Sequence, residues 1–136
     1  MSLVFVHSSV WVDYFRGVET TATAALDVLL GRNKAVVGDL VLMEVLQSYR
    51  DVRELHAAEA ALGQLDCCDL AGVVRVHKGA ANYRQLRSVG LMPRSIIGVL
   101  IASFCADEGI SLLAVDRDFI STVPHLGLVM HEMRAN

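Results

Sequence analysis

The chain has 136 residues, 54% apolar and 20% charged with two prolines, and a formal net charge of −3. That length suffices for one domain with its own core, and that composition excludes a disordered or low-complexity chain. Three cysteines, with Cys67 and Cys68 adjacent, supply neither an even disulfide framework nor a zinc-type spacing, so they read as reduced thiols of a cytoplasmic protein.

Leu3 to Val6 is a short apolar run without helical spacing, ended by His7-Ser8-Ser9, and reads as a buried parallel strand feeding a helix from about Ser9 to Phe15. Ser8 and Ser9 are candidate caps of that helix, and Gly17 stops it. Thr20 to Leu30 has the content of a second helix, ended by Gly31 and followed by a strand at Ala35 to Val37. Asp39 is the expected N-cap of a third helix through Ser48. A fourth, Val52 to Leu65, carries Leu55, Ala58, Ala61, Leu62 and Leu65 on one stripe. Val73 to Val89 repeats Val73, Val76, Ala80, Tyr83 and Leu86/Arg87 at helical spacing, with its basic residues largely between them, until Gly90 to Pro93 break it.

Ser95 can cap the next helix, Ile96 to Asp107, whose nearly unbroken apolar sequence predicts burial on most sides. Its run is interrupted by Gly98 and Ser103 and falls short of the roughly 18–20 residues that span a bilayer, so no membrane partner is expected. Neither is a secretory signal, because no basic segment precedes a long apolar stretch at the N-terminus. Leu112 to Val115 is a second buried strand, with Asp116-Arg117-Asp118-Phe119 at its carboxyl end, and a last strand is expected near Leu128 to His131. Strands separated by helices imply a three-layer α/β/α sandwich with a mainly parallel sheet, as a single domain over residues 1–136.

Charge is unevenly spread. From Leu70 to Ala106 there is no Asp or Glu, while Arg75, Lys78, Arg84, Arg87 and Arg94 fall there; the other seven basic residues and all fifteen acids leave the rest of the chain at −8. A positive face on an acidic body results if these side chains converge; otherwise they are a solvated helix face.

In open parallel sheets chemistry collects beyond the carboxyl ends of strands, which points to His7-Ser8-Ser9 and Asp116-Arg117-Asp118. Glu44 is the single charge in Leu40-Val41-Leu42-Met43-Glu44-Val45-Leu46, where it is either paired, protonated, metal-bound or reaching an exposed edge. Asp116 and Asp118 can present two carboxylates to one side of the sheet, or serve as a helix cap and a surface acid. No glycine-rich phosphate cradle follows the first strand. A serine hydrolase triad is disfavoured because His7 and Ser8 are adjacent, whereas a base must meet its serine through space. A phosphoryl-receiver domain is disfavoured because no paired acids follow the first strand.

With these residues in view the sequence resembles the VapC type of PIN-domain ribonuclease toxin. Val4-Phe5-Val6-His7-Ser8-Ser9-Val10-Trp11-Val12-Asp13-Tyr14-Phe15 is similar to the family's opening, a hydrophobic strand followed by Asp-Thr/Ser-Ser and Val-Trp-Ile-Asp-Tyr-Phe. Val37 to Gln47 is similar to its second acidic motif, Tyr83 to Arg87 to the helix before the third, Pro93 to Ala102 to the third, and Ala114 to Phe119 with His125 to Leu128 to the fourth. The resemblance implies an endoribonuclease with Mg²⁺ or Mn²⁺ on four carboxylates, a cognate antitoxin, an RNA substrate and a homodimer. It carries the catalytic and metal roles onto Glu44 and Asp116, with Asp118 in support; RNA contact by Arg84, Arg87 and Arg94 is expected from the acid-free segment, with Ser9 a further candidate.

Two positions depart from the pattern: His7 stands where the first family Asp belongs, and Gly98 where the third belongs. Imidazole nitrogen suits Mn²⁺, Zn²⁺ or Ni²⁺ better than Mg²⁺, and glycine offers no ligand. The expectation is a chain that cleaves RNA poorly or not at all with Mg²⁺, or one that binds antitoxin or RNA without turnover.

Overall fold

The computed structural model describes residues 2–133. The elements run β1 (Val4–Val6), α1 (Ser8–Phe15), α2 (Thr21–Gly31), β2 (Ala35–Gly38), α3 (Asp39–Gln47), α4 (Val52–Leu62), β3 (Cys67–Cys68), α5 (Val73–Ser88), α6 (Ile96–Glu108), β4 (Ser111–Leu113) and α7 (Arg117–Leu126). The four strands form one parallel sheet in the order β3-β2-β1-β4, with Val4 opposite Ala35 on one side and opposite Ser111 on the other. Three-residue β1 is central and buried throughout, which is why its sequence is continuously apolar rather than alternating.

From β1 the chain steps outward through β2 to β3, then returns to place β4 on the far side of β1. Right-handed crossovers put the helices of the two directions on opposite faces. Accordingly α1 packs with α2 and α3, and α3 with α4, while α5, α6 and α7 pack with one another. Phe5, Trp11, Leu26, Leu29, Ile101, Leu112 and Leu113 fill the core around the sheet, and the Trp11 Nε1–H reaches the Val6 carbonyl at 3.2 Å. Gly38 ends β2 against the buried side chains of Leu70 and Phe5, where a Cβ would lie 2.6 Å from Leu70 Cδ1 and 2.9 Å from Phe5 Cζ.

Several local expectations need correction. Asp39 is the first residue of α3 rather than its cap, which is Gly38; the Asp39 carboxylate instead accepts from the Leu70 N–H at 3.0 Å and ties the β3–α5 connection to α3. The cap position of α1 is His7, with no side-chain cap from Ser8 or Ser9. Ser95 does cap α6, accepting from the Gly98 N–H at 3.1 Å, and Thr20 and Thr23 form a reciprocal capping box on α2. The strand expected at Leu128 to His131 is a single bridge, Leu112 to Met130, and the segment after Asp116 is a helix that contains Pro124. Along the α5 stripe Val73 is 77% exposed and Val76 50% exposed, while Leu86 is fully buried.

Candidate active site

β1 and β4 are neighbours whose onward connections leave in opposite directions, and the crevice beyond the carboxyl ends of such a pair is where parallel sheets open a ligand site. His7 follows β1 directly, and its N–H binds the Leu113 carbonyl at 3.0 Å, so the end of β4 fixes its backbone. Asp116 follows β4 as the N-cap residue of α7, but its side chain makes no cap and turns to the β1 side. There the Ser9 hydroxyl donates to Asp116 Oδ1 at 3.3 Å, and His7 Nδ1 lies 3.2 Å from the same hydroxyl and 3.7 Å from Asp116 Oδ2.

These distances are satisfied together when His7 carries its proton on Nδ1, donates to Ser9, and Ser9 passes its own proton toward Asp116. The order is imidazole, hydroxyl, carboxylate. A nucleophilic serine requires the imidazole in the middle, so this chain of bonds holds the side chains in place and does not activate Ser9. Ser8 Oγ stands 3.5 Å from Nε2, at the limit of a hydrogen bond. The edge of Phe119 closes the other side of the imidazole, with ring centroids 5.0 Å apart. Burial pushes the His7 pKa below its ordinary 6.5, against the pull of the Asp116 and Glu44 carboxylates.

Glu44 projects from α3 and acts electrostatically on His7, so the two matching acids share one neighbour. Its Oε1 is buried with no hydrogen-bond partner among the described residues. Asp118, in the first turn of α7, accepts from the Arg94 N–H at 3.1 Å and anchors the loop that leads into α6. Gly98 lies in the first turn of α6 on the wall of a cavity of about 50 Å³, which it shares with His7, Ser95, Asp116, Asp118 and Phe119. A Cβ at position 98 would meet Ser95 Cβ at 3.5 Å and Phe119 Cζ at 3.7 Å, ordinary contacts, so nothing in the packing demands glycine.

Of the residues singled out in the sequence, His7, Gly98, Asp116 and Asp118 meet at one cavity, and Glu44 reaches the cluster through His7. Ser9 sits inside it as the bridge rather than at its rim, a role that its position two residues after His7 does not reveal. The basic residues separate. Arg75 pairs with Glu108 at 3.2 Å and Lys78 with Asp107 at 3.4 Å, which removes them from any shared face. Arg87 lies over the Tyr83 ring, Arg84 is exposed beside it on α5, and Arg94 is exposed next to Asp118.

Against known proteins, the PIN domain family matches residues 4–123. The chain belongs to the PIN domain family. Similar curated proteins are a VapC ribonuclease of Mycobacterium bovis, Mb1587, and Ribonuclease VapC11 of Mycobacterium tuberculosis, each 26% identical over 119 residues, or 86% of this chain and 89% of the relative. Among solved structures, a chain of VapBC2 from Rickettsia felis, crystallised with a DNA fragment from its promoter, superposes with a TM-score of 0.73 at 16% identity, covering 97% of this PIN domain and 99% of that chain. The fold expectation, a parallel sheet in an α/β sandwich, is met.

The metal that the resemblance implies is a hard cation, and Mg²⁺ wants near-octahedral oxygen ligands. The partnerless Glu44 Oε1 is the one oxygen here that a cation would satisfy. The other positions do not fit. His7 brings nitrogen, Gly98 brings no side chain, Asp118 is committed to the Arg94 N–H, and among the described residues no group of three His, Cys, Asp or Glu is placed to hold a metal ion. The Ser9 hydroxyl engages Asp116 Oδ1 and leaves Oδ2 beside the His7 ring.

Proposed function

We propose that this PIN domain is a VapC-like toxin of a toxin–antitoxin pair, a cytoplasmic protein descended from metal-dependent endoribonucleases, whose own cleavage of RNA with Mg²⁺ or Mn²⁺ is severely impaired. The observation that carries this reading is the exchange of two carboxylates at the mouth of the β1–β4 crevice, one for a buried imidazole and one for a bare backbone. Two charges fewer weaken any hold on a hard cation, and a carboxylate pair without a cation repels a polyanion. Glu44 and Asp116 keep the positions that match the family, with Asp118 holding the loop before α6. The homodimer and the antitoxin belong to the same reading.

A second reading is a PIN module that binds antitoxin or RNA without turnover. The hydrogen-bonded order of His7, Ser9 and Asp116 favours it, because those groups satisfy one another. In either case RNA contact falls to exposed Arg94 beside the cavity, with Arg84 and Arg87 further along α5; reversing the Arg94 charge lowers RNA affinity and flattens its salt dependence.

The test is cleavage of a fluorescent RNA by the chain and by a variant carrying His7→Asp with Gly98→Asp, with Mg²⁺ and with Mn²⁺. Mutating a residue that only orients a metal ligand costs roughly 10–100-fold in affinity or activity and a missing ligand at least as much, so the double variant is expected to exceed the natural chain by about 100-fold or more, and to gain thermal stability on addition of Mg²⁺ while the natural chain does not. Strong cleavage by the natural chain that disappears in Glu44→Ala would mean that His7 serves in place of a carboxylate. A double variant that gains neither cleavage nor Mg²⁺-dependent stability would favour the binding module.

A further inference from the structure

Away from the crevice, α5 and α6 enclose a groove of about 430 Å³ on the outside of the molecule. The two helices run antiparallel: Arg75 meets Glu108, Lys78 meets Asp107, and the Asn82 amide donates to Ser103 Oγ at 2.8 Å. Gly79 lets them close up, since a Cβ there would stand 3.3 Å from Leu100 Cδ2. Gly79 and Ala80 supply almost no side chain to fill the space, and Val76, Ile96, Val99 and Leu100 complete its lining with hydrocarbon. The other lining groups are Tyr83, Arg84 and Arg87.

Charge along the groove is one-sided. Toward the start of α5, Arg75 and Lys78 are offset by Glu108 and Asp107. Arg84 and Arg87 follow Ala80 by one turn and two turns on the same face of the helix. Both are exposed, and neither is in an ion pair among the described residues; the Arg87 guanidinium lies over the Tyr83 ring, 5.9 Å from its centroid. One end of an apolar trough therefore carries two uncompensated cations.

We propose that this groove binds a small amphiphilic anion, an apolar chain ending in a carboxylate, with the chain between α5 and α6 and the carboxylate at Arg84 and Arg87. Size selects a small molecule. From Val76 to Arg87 α5 rises about 16 Å and packed helix axes lie about 8–10 Å apart, so the footprint is on the order of 150 Å², far below the roughly 800 Å² per partner of a standard protein interface. The volume falls within the roughly 300–1,000 Å³ of small-ligand clefts, which are likewise apolar with a few polar groups that fix orientation. Charge selects the head group. A cationic amphiphile would meet two guanidiniums, and a polyanion such as RNA would engage the guanidiniums while leaving the hydrocarbon lining in water. Bidentate pairing with carboxylate is what a guanidinium does best.

The test is calorimetric titration of the purified chain with decanoate below its micelle concentration, beside decyltrimethylammonium and inorganic phosphate. Decanoate is expected to bind saturably at one site per chain, roughly tenfold or more tighter than either of the other two. Ala80→Leu, which fills the groove from an exposed position, and Arg84→Glu with Arg87→Glu, which reverses the charge at its end, are each expected to weaken decanoate about tenfold or more with unchanged circular dichroism. In the natural chain, the Gly79 and Leu100 amide resonances are expected to shift along the same titration, which decides the matter should a variant fail to fold. No saturable decanoate binding, or equal binding of decyltrimethylammonium, overturns the proposal. So does phosphate binding as tightly as decanoate, which would make the arginines a bare anion site, and so does decanoate affinity unchanged by Ala80→Leu or resonance shifts confined to residues outside the groove.

Discussion

Where burial holds an imidazole below its ordinary pKa of 6.5, the folded chain binds fewer protons than the unfolded chain. For His7 the sign follows directly. Above 6.5 both states carry a neutral ring and the group adds no pH dependence. As pH falls through 6.5 the unfolded ring gains a proton that the folded ring still refuses, so stability drops until the lowered folded value is passed and the loss levels off. Urea unfolding of the chain between pH 7.5 and pH 5 is expected to show this decline, and His7→Asn, which keeps a donor for Ser9, is expected to remove the His7 share of it. An unchanged slope in His7→Asn would mean that the imidazole titrates alike in both states, and a steeper one that it is protonated in the fold and paired with Asp116. At this scale the sequence was legible where a motif surrounded a departure: His7 and Gly98 stand out because their flanks resemble the family's. The Ser9 bridge was not legible, since it depends on a 3.3 Å contact across 107 residues of chain.

Helices with strong caps and long apolar periods were readable at the level of elements, and those whose signals conflict were not. Ser95 and the run from Ile96 define α6. No helix was assigned after Asp116, and α7 there accommodates Pro124 in its last turn, where a single missing N–H is tolerated until Gly127 ends the helix at φ 75°. Two-residue β3 is too short for any period to declare it, and it is set by the partner β2. The α5 stripe has the expected period, and what covers each part of it was not readable, because periodicity states that a face is apolar without stating what covers it. Gly38, at the junction of β2 and α3, shows how tightly one element constrains the next. Leu70 and Phe5 are both fully buried around it, so neither has room to give way, and Gly38→Ala is expected to destabilise by about 1–3 kcal/mol as overpacking. A shift in denaturation midpoint measures this, and Leu70→Ala added to Gly38→Ala is expected to cost less than the two changes summed. Additive costs would show that the crowding at Gly38 is relieved by backbone movement.

The strand order is what brings the two ends of the molecule together. β1 lies between β2 and β4, so the start of the chain and residues beyond position 110 form one crevice, while the helices that carry Glu44 and Gly98 descend on opposite faces of the same sheet. Parallel alternation of strands and helices was readable from the sequence, but the order was not, because it depends on which strand edges pair after the chain has collapsed. If the sheet and both helical layers open together, a group at their junction should report only global unfolding. Cys105 is such a group: it is 1% exposed on α6, and burial raises its thiol pKa to about 12, so it lacks both access and thiolate character. Cys67 is exposed on edge strand β3 and offers an internal comparison. With a maleimide reagent at pH 8, Cys67 is expected to react readily in the native state, and Cys105 at a rate set by the unfolding equilibrium, accelerating with urea along the global slope. Fast, urea-insensitive labelling of Cys105 would mean that α6, with Gly98 and its side of the crevice, opens on its own while the rest of the sheet stays folded.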